Sequence, residues 1–99
     1  MNLPSTHHAS PRFKLGRILA TPGALEVIAD ANVSIVDLLI RHLRGDWGDL
    51  SDSDRHQNDL AITAGQRITS SYLLSSGRTV WIITEADRYA TTFLLPDEY

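Results

Sequence analysis

Cysteine is absent from this 99-residue chain. That removes disulfides, thiolate metal sites and cysteine nucleophiles together, and it fits a reducing cytoplasm. Long apolar runs are absent as well. No stretch approaches the ~20 residues that span a bilayer, and the N-terminus lacks the apolar core of a signal peptide, so no membrane role is expected. There is no basic excess either. The formal net charge is −3, whereas a general nucleic-acid binder carries surplus lysine and arginine, so no direct nucleic-acid partner is expected. A glycine-rich phosphate loop and a Gly-x-Ser-x-Gly elbow are both missing, and no cofactor is expected.

What is present is the composition of an ordinary globule, 42% hydrophobic and 21% charged. A chain this short supports one core. The polar, proline-bounded stretch 1–11 reads as a flexible arm, and 12–99 as a single domain. His7 and His8 are adjacent on that arm, a pattern that seldom makes a metal site.

The negative charge is concentrated. Residues 1–45 carry five basic and three acidic side chains, net +2, and residues 60–99 come to −1. Between them, Asp46, Asp49, Asp52, Asp54 and Asp59 face only Arg55, net −4. This block follows Gly45-Asp46-Trp47-Gly48 and separates a helical first half from a strand-rich second half.

Phe13, Leu15 and Leu19 alternate with Lys14 and Gly16, which suits a short half-buried strand over 13–20, although Ile18 breaks the pattern and leaves a short helix as the alternative. Thr21-Pro22 is an N-cap followed by proline at the first helical position, and the helix it opens ends near Asn32. Ser34 with Asp37 starts a second helix. Its Ile35, Leu38, Leu39, His42 and Leu43 make one continuous face, and Gly45 ends it. Ser51 with Asp54 repeats the start signal for a third helix, thinly apolar and therefore superficial, which Gly65 closes. Three runs follow, Arg67–Leu74, Arg78–Glu85 and Tyr89–Leu95, separated by Ser75-Ser76-Gly77 and Ala86-Asp87-Arg88. The β-branched and aromatic middle run is the expected central strand. The expected fold is α+β: a short N-terminal strand, three helices, then a three-stranded antiparallel meander with the helices packed on one face.

Candidate chemistry is sparse. His42 is the one titratable group on an otherwise apolar helix face, and a half-buried structural histidine is its plain alternative. Together with Glu85 and Arg88, beside Tyr89 and Thr91 at the second meander turn, it supplies the residue types of a metal-independent ribonuclease. There a carboxylate accepts the 2′-OH proton, an arginine holds the phosphate and a histidine protonates the leaving oxygen. The order of helices and sheet is similar to barnase-like and RelE-like toxins, without their residue motifs. Asp46, Asp49, Asp52 and Asp54 lack the spacing of a calcium loop, and no metal site is expected. Trp47 reads either as a plug pinning the link to the core or as an exposed anchor for a partner. Asp52 and Asp54 suit a helix start, but Asp46, Asp49 and Asp59 have no capping role. A row of carboxylates suits a surface built for the DNA backbone, with Glu85 and Asp87 as possible extensions.

Over Phe13–Tyr99 the chain resembles a family of small proteins carried on plasmids, integrative elements and prophages. The resemblance rests on Gly45-Asp46-Trp47-Gly48-Asp49-Leu50, on Asn58, on Ile83-Thr84-Glu85-Ala86-Asp87-Arg88, and on Thr91-Thr92-Phe93-Leu94-Leu95-Pro96-Asp97-Glu98-Tyr99. It implies mobile-element company, in which small acidic α+β proteins include anti-CRISPR inhibitors. The expectation is therefore a non-enzymatic inhibitor in a bacterial host's cytoplasm. Asp46, Trp47, Asp49, Asp52, Asp54, Asp59, Glu85 and Asp87 would face the basic nucleic-acid-binding surface of a defence protein, such as a type I CRISPR effector. The ribonuclease toxin using His42, Glu85 and Arg88 is the alternative.

Overall fold

A computed structural model describes residues 11–99. The expected arm, apart from Pro11, and the His7-His8 pair lie outside the described residues. The elements in chain order are β1 (Arg17–Ala20), α1 (Pro22–Asp30), α2 (Ile35–Leu43), α3 (Asp52–Ala64), β2 (Ile68–Leu73), β3 (Thr79–Thr84) and β4 (Ala90–Leu94), with a closing 3-10 turn at Pro96–Glu98. The fold is α+β, with three helices and a four-stranded mixed sheet. No helix among the described residues is long and apolar enough to cross a membrane.

The helix starts follow the sequence signals. Thr21, Ser34 and Ser51 are the N-caps, their hydroxyls accepting from the backbone N–H groups of Ala24, Asp37 and Asp54. Each satisfies one of the donors that a helix leaves orphaned at its start.

The sheet differs from a bare meander. Its order is β1-β4-β3-β2. The β2–β3 and β3–β4 pairs are antiparallel, but β1 docks parallel along β4, Ile18 opposite Thr91 and Ala20 opposite Phe93. Both β3 and β4 are therefore interior. The first strand is also shorter than the expected 13–20. Gly16 adopts φ +66, and a Cβ there would collide with the Tyr89 backbone. Extended structure starts only after it, and Phe13 turns away to pack with Trp47.

One sheet face carries the core. Tyr72, Val80, Ile82 and Phe93 pack against Ala24, Val27, Ile28 and Leu38 of α1 and α2. At the β2 end, Ile68 joins Trp47 and Ala61 in a second cluster that Phe13, Leu50 and Ile62 flank. On the other face, the Tyr99 ring meets Trp81 edge-on at 5.8 Å, and its hydroxyl accepts a hydrogen bond from Arg67.

Candidate functional site

The segment from Asp46 to Asp59 runs along the free edge of β2. An edge strand directs a row of N–H and C=O groups outward, where another chain can pair with them. Here both outward groups of Thr69 and of Ser71 and the outward N–H of Leu73 are taken. Thr69 exchanges two hydrogen bonds with the Asn58 side chain, Nδ2 to its carbonyl at 2.7 Å and its N–H to Oδ1 at 3.2 Å. The Ser71 N–H donates to the Trp47 carbonyl at 3.0 Å, and its carbonyl accepts from the Asp49 N–H at 2.6 Å. The Leu73 N–H donates to Asp49 Oδ2 at 2.7 Å. Gly48, at φ +78, brings the link this close, since a Cβ there would strike the Ser71 carbonyl.

The other acids of the segment divide by function in the fold. Asp46 binds the Arg41 guanidinium through both oxygens, at 2.7 and 3.2 Å. That contact holds its carboxyl below the ordinary carboxylate pKa and raises that of Arg41. The same guanidinium stacks 4.4 Å over the Tyr72 ring, whose hydroxyl donates to the Asp46 carbonyl and whose pKa burial pushes up to about 12. Asp59 accepts from the Trp47 indole N–H at 3.0 Å, with Arg12 3.8 Å away. Trp47 itself is 2% exposed. It is the plug, and its place among partner-facing residues is corrected: burial of the ring leaves no indole surface for a partner. Asp87 accepts from the Tyr89 N–H and closes the second turn. Among the described residues, Asp52 and Asp54 alone of the five block aspartates have no side-chain hydrogen bond or ion pair, and both are exposed.

His42, Glu85 and Arg88 do not assemble into a site. His42 is fully buried, with Nδ1 2.6 Å from Ser70 Oγ and Nε2 2.9 Å from Thr84 Oγ1. Thr84 Oγ1 lies 2.7 Å from Thr91 Oγ1, and Thr91 donates to the Leu15 carbonyl at 2.7 Å. Counting protons along this chain assigns every direction. A carbonyl only accepts, so the single hydroxyl proton of Thr91 goes to Leu15 and Thr84 must donate to Thr91. Thr84 then accepts from His42 Nε2–H, which leaves Nδ1 to accept from Ser70. The ring is a neutral Nε2–H tautomer with both nitrogens committed, wedged edge-on against Phe13 and Trp47 at 5.2 and 5.9 Å. Burial lowers its pKa to about 3.

Arg88 is equally committed. It donates to the carbonyls of Gln66, Glu85, Ala86 and Ala61, so it joins the end of α3 to the β3–β4 turn. Glu85 lies 3.5 Å from Arg67, an exposed pair. The ribonuclease arrangement is thereby corrected: a general acid without solvent contact and a phosphate-binding arginine spent on backbone carbonyls cannot serve a substrate.

Among the described residues no group of three or more His, Asp or Glu side chains is placed to hold a metal ion. A groove of about 310 Å³ opens between Gly77, Arg78, Thr79, Leu95, Pro96 and Asp97, with none of the candidate site residues in its lining. Asn58, Ser70, Thr84 and Thr91 carry the polar framework and lack a sequence signal as a set, because only strand pairing brings the last three together. Family models, curated proteins and solved structures each offered no match to this chain.

Proposed function

We propose that this protein is a non-enzymatic inhibitor from a mobile element, of the anti-CRISPR kind. Its acidic segment would occupy the DNA-binding surface of a host defence complex, most simply a type I CRISPR effector. The observation that carries this reading is how the carboxylates are held. Asp46 and Asp59 are fixed by Arg41 and Trp47, yet their side chains stay 49% and 50% exposed. Asp52 and Asp54 extend the row on the first turn of α3. Carboxylates already immobilised lose little entropy on meeting a basic surface, so a fixed array competes with phosphates better than a mobile one. Arg41 offsets Asp46 and Arg12 lies 3.8 Å from Asp59, so the uncompensated charge is centred on Asp49, Asp52 and Asp54.

The test separates fold from function. Asp46, Asp49 and Asp59 serve the structure, so the informative variant is Asp52→Asn with Asp54→Asn. Each loses a helix-start charge worth about 0.3–1 kcal/mol, so the fold persists. Inhibition of DNA binding by a type I effector should weaken at least tenfold, and wild-type inhibition should fall steeply with added salt. Undiminished inhibition by the double variant would rule out electrostatic mimicry. No observation favours a ribonuclease reading, since all three of its residues are committed elsewhere.

A further inference from the structure

The two edges of the sheet are treated in opposite ways. On β2 the outward groups of Thr69 and Ser71 and the outward N–H of Leu73 are bonded by the acidic segment, Asn58 included. On β1, the odd positions face inward: Arg17 donates to Tyr89 and Thr21 to Phe93. Strand alternation then points the N–H and C=O groups of Ile18 and Ala20 away from β4, and among the described residues nothing pairs with them. No proline interrupts the strand, and of the usual protections of a bare edge it has only its four-residue length and the charge of Arg17. Two large apolar side chains stand on it instead, Ile18 at 46% and Leu19 at 41% exposure.

We infer that β1 is a self-association edge, through which two copies of this chain join antiparallel into one eight-stranded sheet. The occupant is identified by charge. With Leu19 on the two-fold axis, Ile18 faces Ala20 of the second copy, and these two pairs exchange four main-chain hydrogen bonds. Leu19 meets its own counterpart on the outer face. Arg17 then stands opposite Thr21 of the second copy, on the same face as Leu19. The Thr21 hydroxyl donates at 2.7 Å to the exposed Glu98 carboxylate, whose second anchor is the Leu95 N–H at 2.8 Å. These bonds hold Glu98 at the spot an incoming Arg17 reaches, and they keep its carboxyl below the ordinary carboxylate pKa. Among the described residues the Arg17 guanidinium has no hydrogen bond or ion pair and Glu98 no cationic partner. The two-fold makes the contact twice. A slip of two residues would set Arg17 against Leu19 and strand both charges, so the charges also select the register. A four-residue edge buries less than a standard interface, so the dimer is weak and concentration-dependent.

Sedimentation velocity on the whole protein tests this across a concentration series from micromolar to millimolar. The expected result is a mass rising from 11.0 kDa toward twice that value. Arg17→Glu places like charges opposite one another and should shift the midpoint at least tenfold toward monomer. Glu98→Arg should do the same, and an equimolar mixture of the two variants should associate again, because each then supplies the charge the other lacks. Ile18→Pro deletes an outward N–H that β4 does not use and should abolish association while the circular dichroism of the fold is kept. A wild type that stays monomeric at millimolar concentration overturns the inference. So does a dimer indifferent to Ile18→Pro and Arg17→Glu. Slow hydrogen exchange at Ile18 and Ala20 in a monomer also overturns it, since another segment would then cover the edge.

Discussion

Trp47 ties the acidic link to the core by a single side chain. Its ring fills the space between Phe13 and His42, and its N–H ends on Asp59. Trp47→Ala should cost about 3–5 kcal/mol in chemical denaturation, as large-to-small core changes do. Asp59→Ala should cost about 1–3 kcal/mol by orphaning the indole donor, and Asp59→Asn, which keeps an acceptor, should cost less. His42 supplies a pH signature. The folded chain refuses a proton at this ring down to about pH 3, while an unfolded histidine takes one near 6.5. The unfolded state therefore binds more protons below that value. Stability should be full above about pH 6.5 and fall on acidification, with a limiting slope of ~1.4 kcal/mol per pH unit. The Asp46 contribution has a lower window. Its carboxyl is depressed, so its stabilisation is present above the unfolded value of 3.8 and lost as pH falls through the folded one. Urea midpoints between about pH 6.5 and 5.5 thus report the histidine ahead of Asp46 and Glu98, and His42→Gln should flatten them.

At the scale of elements, the stretch Asp46–Asp59 is an edge cover as much as a connection. Asn58, 6% exposed, acts as a surrogate strand residue for Thr69. Asn58→Ala should remove about 1–3 kcal/mol and speed amide exchange at Thr69 selectively, whereas a purely general destabilisation would raise exchange along all of β2. The helices were legible in the chain because their signals are local: Ser34 and Ser51 cap within three residues, and the 35–43 face repeats at helical spacing. The first strand was legible only in part. Its residues alternate as a strand should, but its start depends on Gly16 fitting against Tyr89, seventy-three positions away in the chain.

For the whole molecule, sheet order sets the relation between the two proposed surfaces. The acidic segment lies along β2 and the self-association edge is β1, at opposite ends of a four-stranded sheet. A dimer through β1 leaves both acidic segments outermost. Eight strands span seven intervals of about 4.8 Å, so β2 and its copy would stand roughly 34 Å apart along an untwisted sheet. Under the two proposals together the dimer would carry its carboxylate rows facing outward, and linking two rows raises avidity wherever a target offers two basic surfaces.

Composition and local pattern determined the class of this protein by themselves: an α+β chain with no disulfide, three capped helices, three strands with tight turns and a block of aspartates after Gly45. Those properties arise from interactions within a few residues, which a linear reading can follow. Tertiary structure decided what the polar residues do. Asp49 and Asn58 became edge partners of β2, Asp46 and Asp59 became anchors for Arg41 and Trp47, and Arg88 became a clasp of carbonyls. His42 exchanged its candidate chemistry for a closed chain of hydroxyls. These outcomes depend on which groups the fold brings together, and where water is excluded, as around His42, a buried donor must find an acceptor whatever its neighbours in the chain.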